Sequence, residues 1–388
     1  MSIDTSFYWV LPGPRGFALR IGELLAGNRM MAINLPLVTV PGTWDLVQQG
    51  IEHGHVPQVF KIMVREGTNI GTDVGFQFDR QVLNGAQLAN HVAQTPSAVI
   101  LRSDSEAGME LCNEYAAEFG KAIDQSQGNV RLITAWHSED FVNDVGGNGI
   151  QVVTFDGGIS PDEMEAYVAV RMMSRPGPGS TRLMRAIVAE FAGFDTNFAE
   201  RLMAMDPAEI LSIRTHLRKL LDETPERWRT NSWLEGTRSH ASKECHVLHD
   251  QYLAEHGNAA QREAALQRIA RRYWRACVKV LTPWLEERKQ KVLDILRVHI
   301  QQRLEADGTI AVPRGSGRIT YVQPDELEFN NVVGMAYGSG LVPQNQREWQ
   351  ALNVCKCAKN VRDDISHLRA PDPQKVIQLI QEMDSLLA

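Results

Sequence analysis

The sequence has 388 residues, of which 43% are hydrophobic and 22% charged, as in ordinary globular proteins. This length predicts two or three domains with cores that need neither disulfides nor metals. The net charge of −7 excludes a global polycation, so any contact with nucleic acid must be local. No apolar run approaches the roughly 18 residues of a membrane-spanning helix. The N-terminus carries Asp4 and no basic stretch, so we expect a cytoplasmic protein without a secretory signal or membrane contact.

The first 205 residues alternate short β-rich apolar runs with helical stretches. Such alternation predicts an α/β domain with a mainly parallel sheet wrapped by helices. The predicted strands are Phe7–Leu11, Leu35–Val40, Val99–Leu101, Leu132–Ala135 and Val152–Phe155. The predicted helices among them are Phe17–Ala26, Leu83–Ala93 and Glu106–Ile123. We therefore assign residues 1–205 to one α/β domain.

A loop rich in glycine and proline follows the first predicted strand and precedes the first predicted helix. P-loop NTPases hold phosphate in this order of elements, on backbone N–H groups at a helix N-terminus. The segment from Gly13 to Gly16 resembles the opening of such a loop. Ala18, Leu19 and Arg20 stand where the pattern needs Gly-Lys-Ser/Thr. Because the lysine and the hydroxyl are missing, we expect no ATP hydrolysis.

Later segments extend this resemblance. Ala98–Asp104 resembles a Walker B strand that ends in an acid, although Arg102 interrupts it. Residues 159–167 and 188–194 are similar to the segments that follow the sheet in NTPases of the STAND and AAA type. The resemblance implies a degenerate P-loop domain whose weak nucleotide-binding residues are Gly13, Arg15, Gly16, Arg20 and Asp104. An unrelated α/β domain is the alternative.

Residues 206–306 form a helical segment with a basic stretch. The predicted helices are Pro207–Asp222, Ala241–His256, Ala259–Val280 and Pro283–Ala306. Within Gln261–Glu305, eleven Lys and Arg residues stand against five acids. Such a run is usually a solvated helix face. The alternative is an RNA-binding surface, because Trp274 and Trp284 lie among the basic residues and could stack on bases. The RNA-binding residues would then be Arg271, Arg272, Arg275 and Lys279.

Residues 307–388 form the third predicted domain, which begins with a small hairpin and continues as helices. The hairpin strands are Ile310–Val312 and Ile319–Val322, and the helices are Asp325–Tyr337, Gln344–Leu368 and Asp372–Leu387. Near the end of the second helix, Arg362 is followed directly by Asp363, and four residues separate Arg362 from His367. Five positions along an ideal helix separate the Arg and His side chains by roughly 140°.

This Arg-x₄-His pattern resembles HEPN domains, which are helical bundles, many of them metal-independent ribonucleases that act as dimers. The resemblance implies catalytic roles for Arg362, His367 and Asp363 in RNA cleavage. A histidine can exchange a proton near neutral pH, and an arginine can bind the phosphate. Two alternatives are a non-catalytic HEPN-like module and an unrelated helical tail. In the latter, Arg362 and Asp363 would pair on the helix surface.

Two groups of potential metal ligands are also present: His240, Cys245, His246 and His249 in one, and Cys355 with Cys357 in the other. Neither has a well-spaced second pair of the kind that zinc sites use, so we expect no metal and no cofactor.

The leading hypothesis is a degenerate NTPase-like sensor domain joined to a HEPN-type endoribonuclease, as in bacterial antiviral or toxin proteins, acting on RNA as a homodimer. The first alternative is a non-catalytic adaptor of a multi-protein defence complex, with a protein partner at the N-terminal domain. The second is a switch that binds a nucleotide without hydrolysing it.

Overall fold

The computed structural model describes residues 8–35, 42–103, 105–137, 150–155, 159–173, 180–224, 246–313, 318–338 and 341–388. The chain divides into two compact units. The first comprises Met1–Glu163, Phe194–Asn197 and Arg227–Cys245, and the second comprises Met164–Gly193, Phe198–Glu226 and His246–Ala388. None of the described helices combines the length and the apolar composition needed to cross a bilayer.

The first unit contains a five-stranded sheet in the order β2-β3-β4-β1-β5, and every pairing in it is parallel. Its strands are β1 (Met30–Leu35), β2 (Gln58–Met63), β3 (Ser97–Ser103), β4 (Arg131–His137) and β5 (Gln151–Thr154). Its helices are α1 (Pro12–Gly27), α2 (Thr43–His53), α3 (Ile70–Gln77), α4 (Gly85–Asn90) and α5 (Glu106–Ile123). The predicted fold class, an α/β domain with a parallel sheet followed by a mostly helical half, is confirmed.

The first two strands differ from the sequence prediction. Residues 8–10 form a 3₁₀ turn instead of a strand, and α1 follows them directly. The first strand is Met30–Leu35, a fully buried run whose Met, Ala and Asn residues carry little β-propensity. Strand β2 was not predicted, because it lies at the sheet edge and its burial follows no simple alternation.

One face of the sheet packs against α1 and α2, and these two helices approach closely. A Cβ on Gly50 would lie 2.6 Å from the carbonyl oxygen of Ala18, and one on Gly22 would lie 2.9 Å from that of Gly50. Glycine at both positions therefore permits the contact. The opposite face carries a core formed with α3, α4 and α5 by residues that include Val99, Leu101 and Phe119.

The second unit is mostly helical. Its helices include the end of α6 (Pro161–Arg171), α7 (Ser180–Ala192), most of α8 (Thr196–Met203), α9 (Pro207–Leu211), α10 (Leu217–Asp222), α11 (Val247–His256), α12 (Ala259–Ile295), α13 (Arg297–Gln301), α14 (Phe329–Gly338), α15 (Gln346–Ser366) and α16 (Pro373–Leu387). Strands β6 (Ile310–Pro313) and β7 (Ile319–Val322) form the predicted antiparallel hairpin. The predicted division between Val280 and Pro283 is wrong: α12 continues through this proline, with Leu281, Trp284 and Leu285 buried beside it.

Candidate functional site

The carboxyl ends of β1 and β4 form the switch point of the parallel sheet. After β1, the chain passes through α2 to β2, at one edge of the sheet. After β4, it passes in the opposite direction to β5, at the other edge and beside β1. Ligands of open α/β sheets bind in the crevice that such divergent connections create. The segments that directly follow β1, β3 and β4, residues 36–41, 104 and 138–149, lie outside the described residues, and the predicted acid Asp104 is among them.

Helix α2 begins at this edge of the sheet, because Trp44 in its first turn contacts Arg102 near the end of β3. Its N-cap is Gly42, whose φ of 92° lies in the left-handed region that glycine adopts readily. The first turn holds the buried Thr43 and the exposed Asp45. The amide groups and the dipole of a helix N-terminus favour an anion such as phosphate.

A cation lies beside this helix N-terminus. The guanidinium carbon of Arg102, near the end of β3, is 4.4 Å from the ring centroid of Trp44 in the first turn of α2. The Nε atom of Arg102 is buried and has no hydrogen-bond partner among the described residues. The residue that interrupts the Walker B-like strand therefore supplies a positive charge near the start of α2.

Buried polar side chains lie on the α3–α5 face of the sheet near the same edge. Asn34, Thr134 and Ser103 are each at most 2% exposed. Asn34 and Ser103 both align with residue 136 of β4 and so stand in one row across the sheet. The Asn34 side-chain oxygen accepts no hydrogen bond from the described part of the chain. A buried polar atom of this kind is costly unless a partner satisfies it, so it marks the edge as a place for a polar ligand or water.

The predicted phosphate loop is wrong, because Gly13, Arg15, Gly16 and Arg20 all lie within α1. Pro12 starts this helix, where proline's fixed φ is favourable and its missing N–H is not needed. The Gly13 N–H donates to Glu163 Oε1 at 2.5 Å, and Arg20 forms an exposed pair with Glu23. A strand that is followed along the chain by a helix is found instead in β1 and α2, and residues 36–41 between them lie outside the described residues. No lysine occurs before Lys61, so this corrected position also lacks the P-loop lysine.

The basic stretch in the second unit is largely neutralised by its own chain. Glu190 on α7 accepts from Arg275 Nε at 2.7 Å and pairs with Lys279 Nζ at 2.8 Å, and its backbone oxygen accepts from the buried Arg272 at 2.8 Å. Burial alone would lower the pKa of Lys279, but hydrogen bonds to Glu165 and Glu190 raise it above its ordinary value. Of the four residues predicted to bind RNA, Arg271 is the exposed one that has no acidic partner among the described residues.

The predicted catalytic residues make separate contacts at the end of α15. Arg362 forms an ion pair with Glu328, and Asp363 pairs with Lys359 Nζ at 3.0 Å. His367 is the exposed C-cap residue, and its Nδ1 lies 2.6 Å from the backbone oxygen of Asp363. The structure places these three residues within two turns of helix, and the contacts given above join each of them to a different group.

The predicted absence of metal concerns a region that is described in part. His240 and Cys245 lie outside the described residues. His246 Nδ1 caps α11 by accepting from the Leu248 N–H at 3.1 Å, and Asp250 is bound by Arg268 at 2.7 Å. Burial raises the pKa of Asp250 against the opposing effect of Arg268. Among the described residues, no group of three His, Cys, Asp or Glu side chains could hold a metal ion.

Two solved structures of AAA+ ATPases are distantly similar to the chain. A Rhizobiales Trip13 has 14% sequence identity and a TM-score of 0.32, over 58% of this chain and 89% of that one. PCH-2 from C. elegans has 12% identity and a TM-score of 0.25, over 54% of this chain and 62% of that one. No protein-family model matches the sequence, and no curated protein matches it. The described sheet is, by its own strand order and parallel pairings, a P-loop-like parallel sheet.

Proposed function

We propose that the α/β unit is a ligand-controlled switch that binds a nucleotide or another phosphate-bearing ligand without hydrolysing it. The observation that supports this most is the guanidinium of Arg102 beside the N-terminus of α2, at the carboxyl end of β3, the strand next to β4 of the switch point. A helix N-terminus and an arginine are two complementary partners for phosphate oxygens.

The residues present fit phosphate binding but not the hydrolysis of a magnesium–nucleotide complex. In P-loop enzymes, a lysine contacts the β and γ phosphates and stabilises the charge that develops during transfer. Residues 1–60 contain no lysine. Arg102 is already stacked on Trp44, so it supplies charge and a flat donor group at a fixed place.

The test is a thermal-unfolding series with ATP, ADP, GTP, GDP and inorganic phosphate, each with and without magnesium. A ligand at a hundred times its Kd stabilises the state that binds it by about 2.7 kcal/mol. We expect one nucleotide to raise the melting temperature of the parent, to have a smaller effect on Arg102→Ala, and to remain unhydrolysed. A series in which no ligand shifts the parent would refute the proposal.

A second candidate is metal-independent RNA cleavage by a HEPN-like site, with Arg362, His367 and Asp363 as its catalytic residues and a homodimer as the active form. The observation in favour is access: His367 is exposed, and the Arg362 and Asp363 side chains are 40% and 44% exposed. The ion pair with Glu328 must open before Arg362 can bind a phosphate. Control of this site by the α/β unit would make the chain a defence or toxin protein.

The ribonuclease proposal is tested by RNA cleavage in EDTA with the parent, His367→Ala and Arg362→Ala. The matched control is Arg369→Ala, because Arg369 is a neighbouring exposed arginine that pairs with Asp364. Cleavage that leaves 2′,3′-cyclic phosphate ends and disappears in the first two variants alone supports the site. Equal cleavage by the parent and His367→Ala would exclude it.

A further inference from the structure

The outer edge of β2 carries backbone groups that pair with no strand among the described residues. The Val64 N–H donates to the Arg102 carbonyl at 2.8 Å, so the backbone groups of Val64 face β3. Backbone direction alternates along a strand, so those of Phe60 and Ile62 also face β3. The N–H and C=O groups of Val59, Lys61 and Met63 therefore point away from the sheet. No described strand pairs with this edge.

An aromatic surface lies beside that edge. Phe60 of β2 is in edge-to-face contact with Phe78 at 5.1 Å between centroids, and Phe78 contacts His91 at 4.8 Å. Burial and the nearby Arg80 lower the pKa of His91, which favours the neutral, less strongly hydrated ring.

Exposed apolar residues lie next to these aromatic residues along the chain and on α3. Phe76, in the last turn of α3, is 79% exposed, and Val92, next to His91, is 66% exposed. Val82 is 51% exposed, and its Cα lies 3.0 Å from where a Cβ on Gly75 would stand, so it packs along α3. We call Phe60, Phe76, Phe78, Val82, His91 and Val92 the aromatic surface.

The positive charge of Lys61, at the centre of the β2 edge, favours some added strands over others. Lys61 is exposed and has no acidic partner among the described residues. Two copies of the chain could pair their β2 edges in an antiparallel manner through the backbone groups that point away from the sheet. The two Lys61 side chains would then lie directly opposite each other or at neighbouring cross-strand pairs. Like charges so placed are destabilising, and an edge lysine commonly opposes such pairing. An acidic side chain on an added strand would instead pair with Lys61.

We propose that the outer edge of β2 binds an extended, acidic segment of a partner protein by strand addition. Its backbone pairs with Val59, Lys61 and Met63, alternate apolar side chains pack on the aromatic surface, and an acidic side chain on the other face contacts Lys61. Main-chain hydrogen bonds supply the affinity in this mode, and the side-chain contacts supply the selectivity. This inference is independent of phosphate binding at α2.

The test uses a display library of random dodecapeptides, selected on the purified full chain, and Kd measurements on the enriched peptides. The decisive variant is Lys61→Pro, which removes an outward N–H, because proline is tolerated on an edge strand where its N–H would face solvent. Lys61→Ala keeps the N–H and removes only the charge. Phe76→Ser changes an exposed side chain and needs no repacking. Arg15→Ala, on α1, is the control.

We expect the enriched peptides to alternate apolar and acidic residues. Lys61→Pro, with an unchanged melting temperature, should weaken them about tenfold, since it removes one hydrogen bond and one charge pair. Lys61→Ala and Phe76→Ser should each weaken them less, and Arg15→Ala should leave them unchanged. If Lys61→Pro fails to fold, the loss in Phe76→Ser decides.

Three results would overturn the proposal. The first is equal binding of the enriched peptides to the parent, Lys61→Pro and Phe76→Ser. The second is a selection that enriches basic peptides or none. The third is sedimentation of the parent as a dimer that Lys61→Pro converts to a monomer, since a second copy would then occupy the edge.

Discussion

Replacing Glu190 by glutamine tests whether the basic residues of α12 stabilise the fold through their ion pairs with Glu190. The Glu190 side chain is 10% exposed and is bound by Arg275 and Lys279, whose side chains are 27% and 44% exposed. A hydrogen bond to a charged group contributes about 1.5–3 kcal/mol, and partial exposure of both cations reduces each contribution. We therefore expect Glu190→Gln to lower the free energy of unfolding by about 2–4 kcal/mol, because it leaves two cations without their shared carboxylate.

The assay is urea unfolding followed by tryptophan fluorescence, with Arg271→Ala as the matched control. Arg271 lies on the same helix, but it is exposed, so its replacement should change the unfolding free energy by no more than about 0.5 kcal/mol. A decrease in the unfolding free energy of less than about 0.5 kcal/mol in Glu190→Gln would refute a stabilising role for these ion pairs. In that case the basic residues would be available to bind RNA, which is the alternative interpretation of the sequence.

Two further predictions concern the helix pair α1 and α2, and α15. Gly16→Ala should stabilise the protein by about 1 kcal/mol, because Gly16 lies in a helix and a Cβ there meets nothing within 4 Å. Gly50→Ala should destabilise the protein by about 1–3 kcal/mol, because its Cβ would clash with the carbonyl oxygen of Ala18. Melting curves of both variants, measured beside the parent, check these two expectations. Hydrogen bonds from the Gln344 N–H and His299 hold the pKa of Glu348 below its ordinary 4.5. Its contribution to stability is therefore complete above 4.5 and is lost as the pH falls through the lowered value, so Glu348→Gln should show a smaller acid-induced fall in melting temperature than the parent. An equal fall in both proteins would contradict the second prediction.

The sequence predicted those elements whose pattern is local. Strands β3, β4 and β5 appear as short β-rich runs, and α5 has the predicted bounds, Glu106–Ile123. The first turn of α1 was misread because glycine and proline indicate a loop, although proline also favours the first turn of a helix. The sequence pattern also divides the helical stretch between Val280 and Pro283, whereas the structure has one continuous helix, α12, with buried residues on both sides of Pro283.

The candidate site could not be predicted, because it depends on strand order. In the sequence, the one distinctive feature of Arg102 is that it interrupts a Walker B-like strand. Its contact with Trp44 requires β3 to end near the start of α2, and the two residues are far apart along the chain. Likewise, the partner of Arg275 is 85 residues away, so local charge counting cannot distinguish a neutralised cation from an RNA-binding one.

The most direct test of the central claim is a calorimetric titration with the nucleotide that stabilises the parent most, carried out on the parent, Arg102→Ala and Arg15→Ala. A charge-assisted contact to phosphate contributes about 1.5–3 kcal/mol, so Arg102→Ala should raise the Kd roughly 10- to 150-fold. Arg15→Ala, which alters α1, should leave the Kd unchanged. A weakened Kd in Arg15→Ala with an unchanged Kd in Arg102→Ala would place the phosphate at α1 and contradict the account.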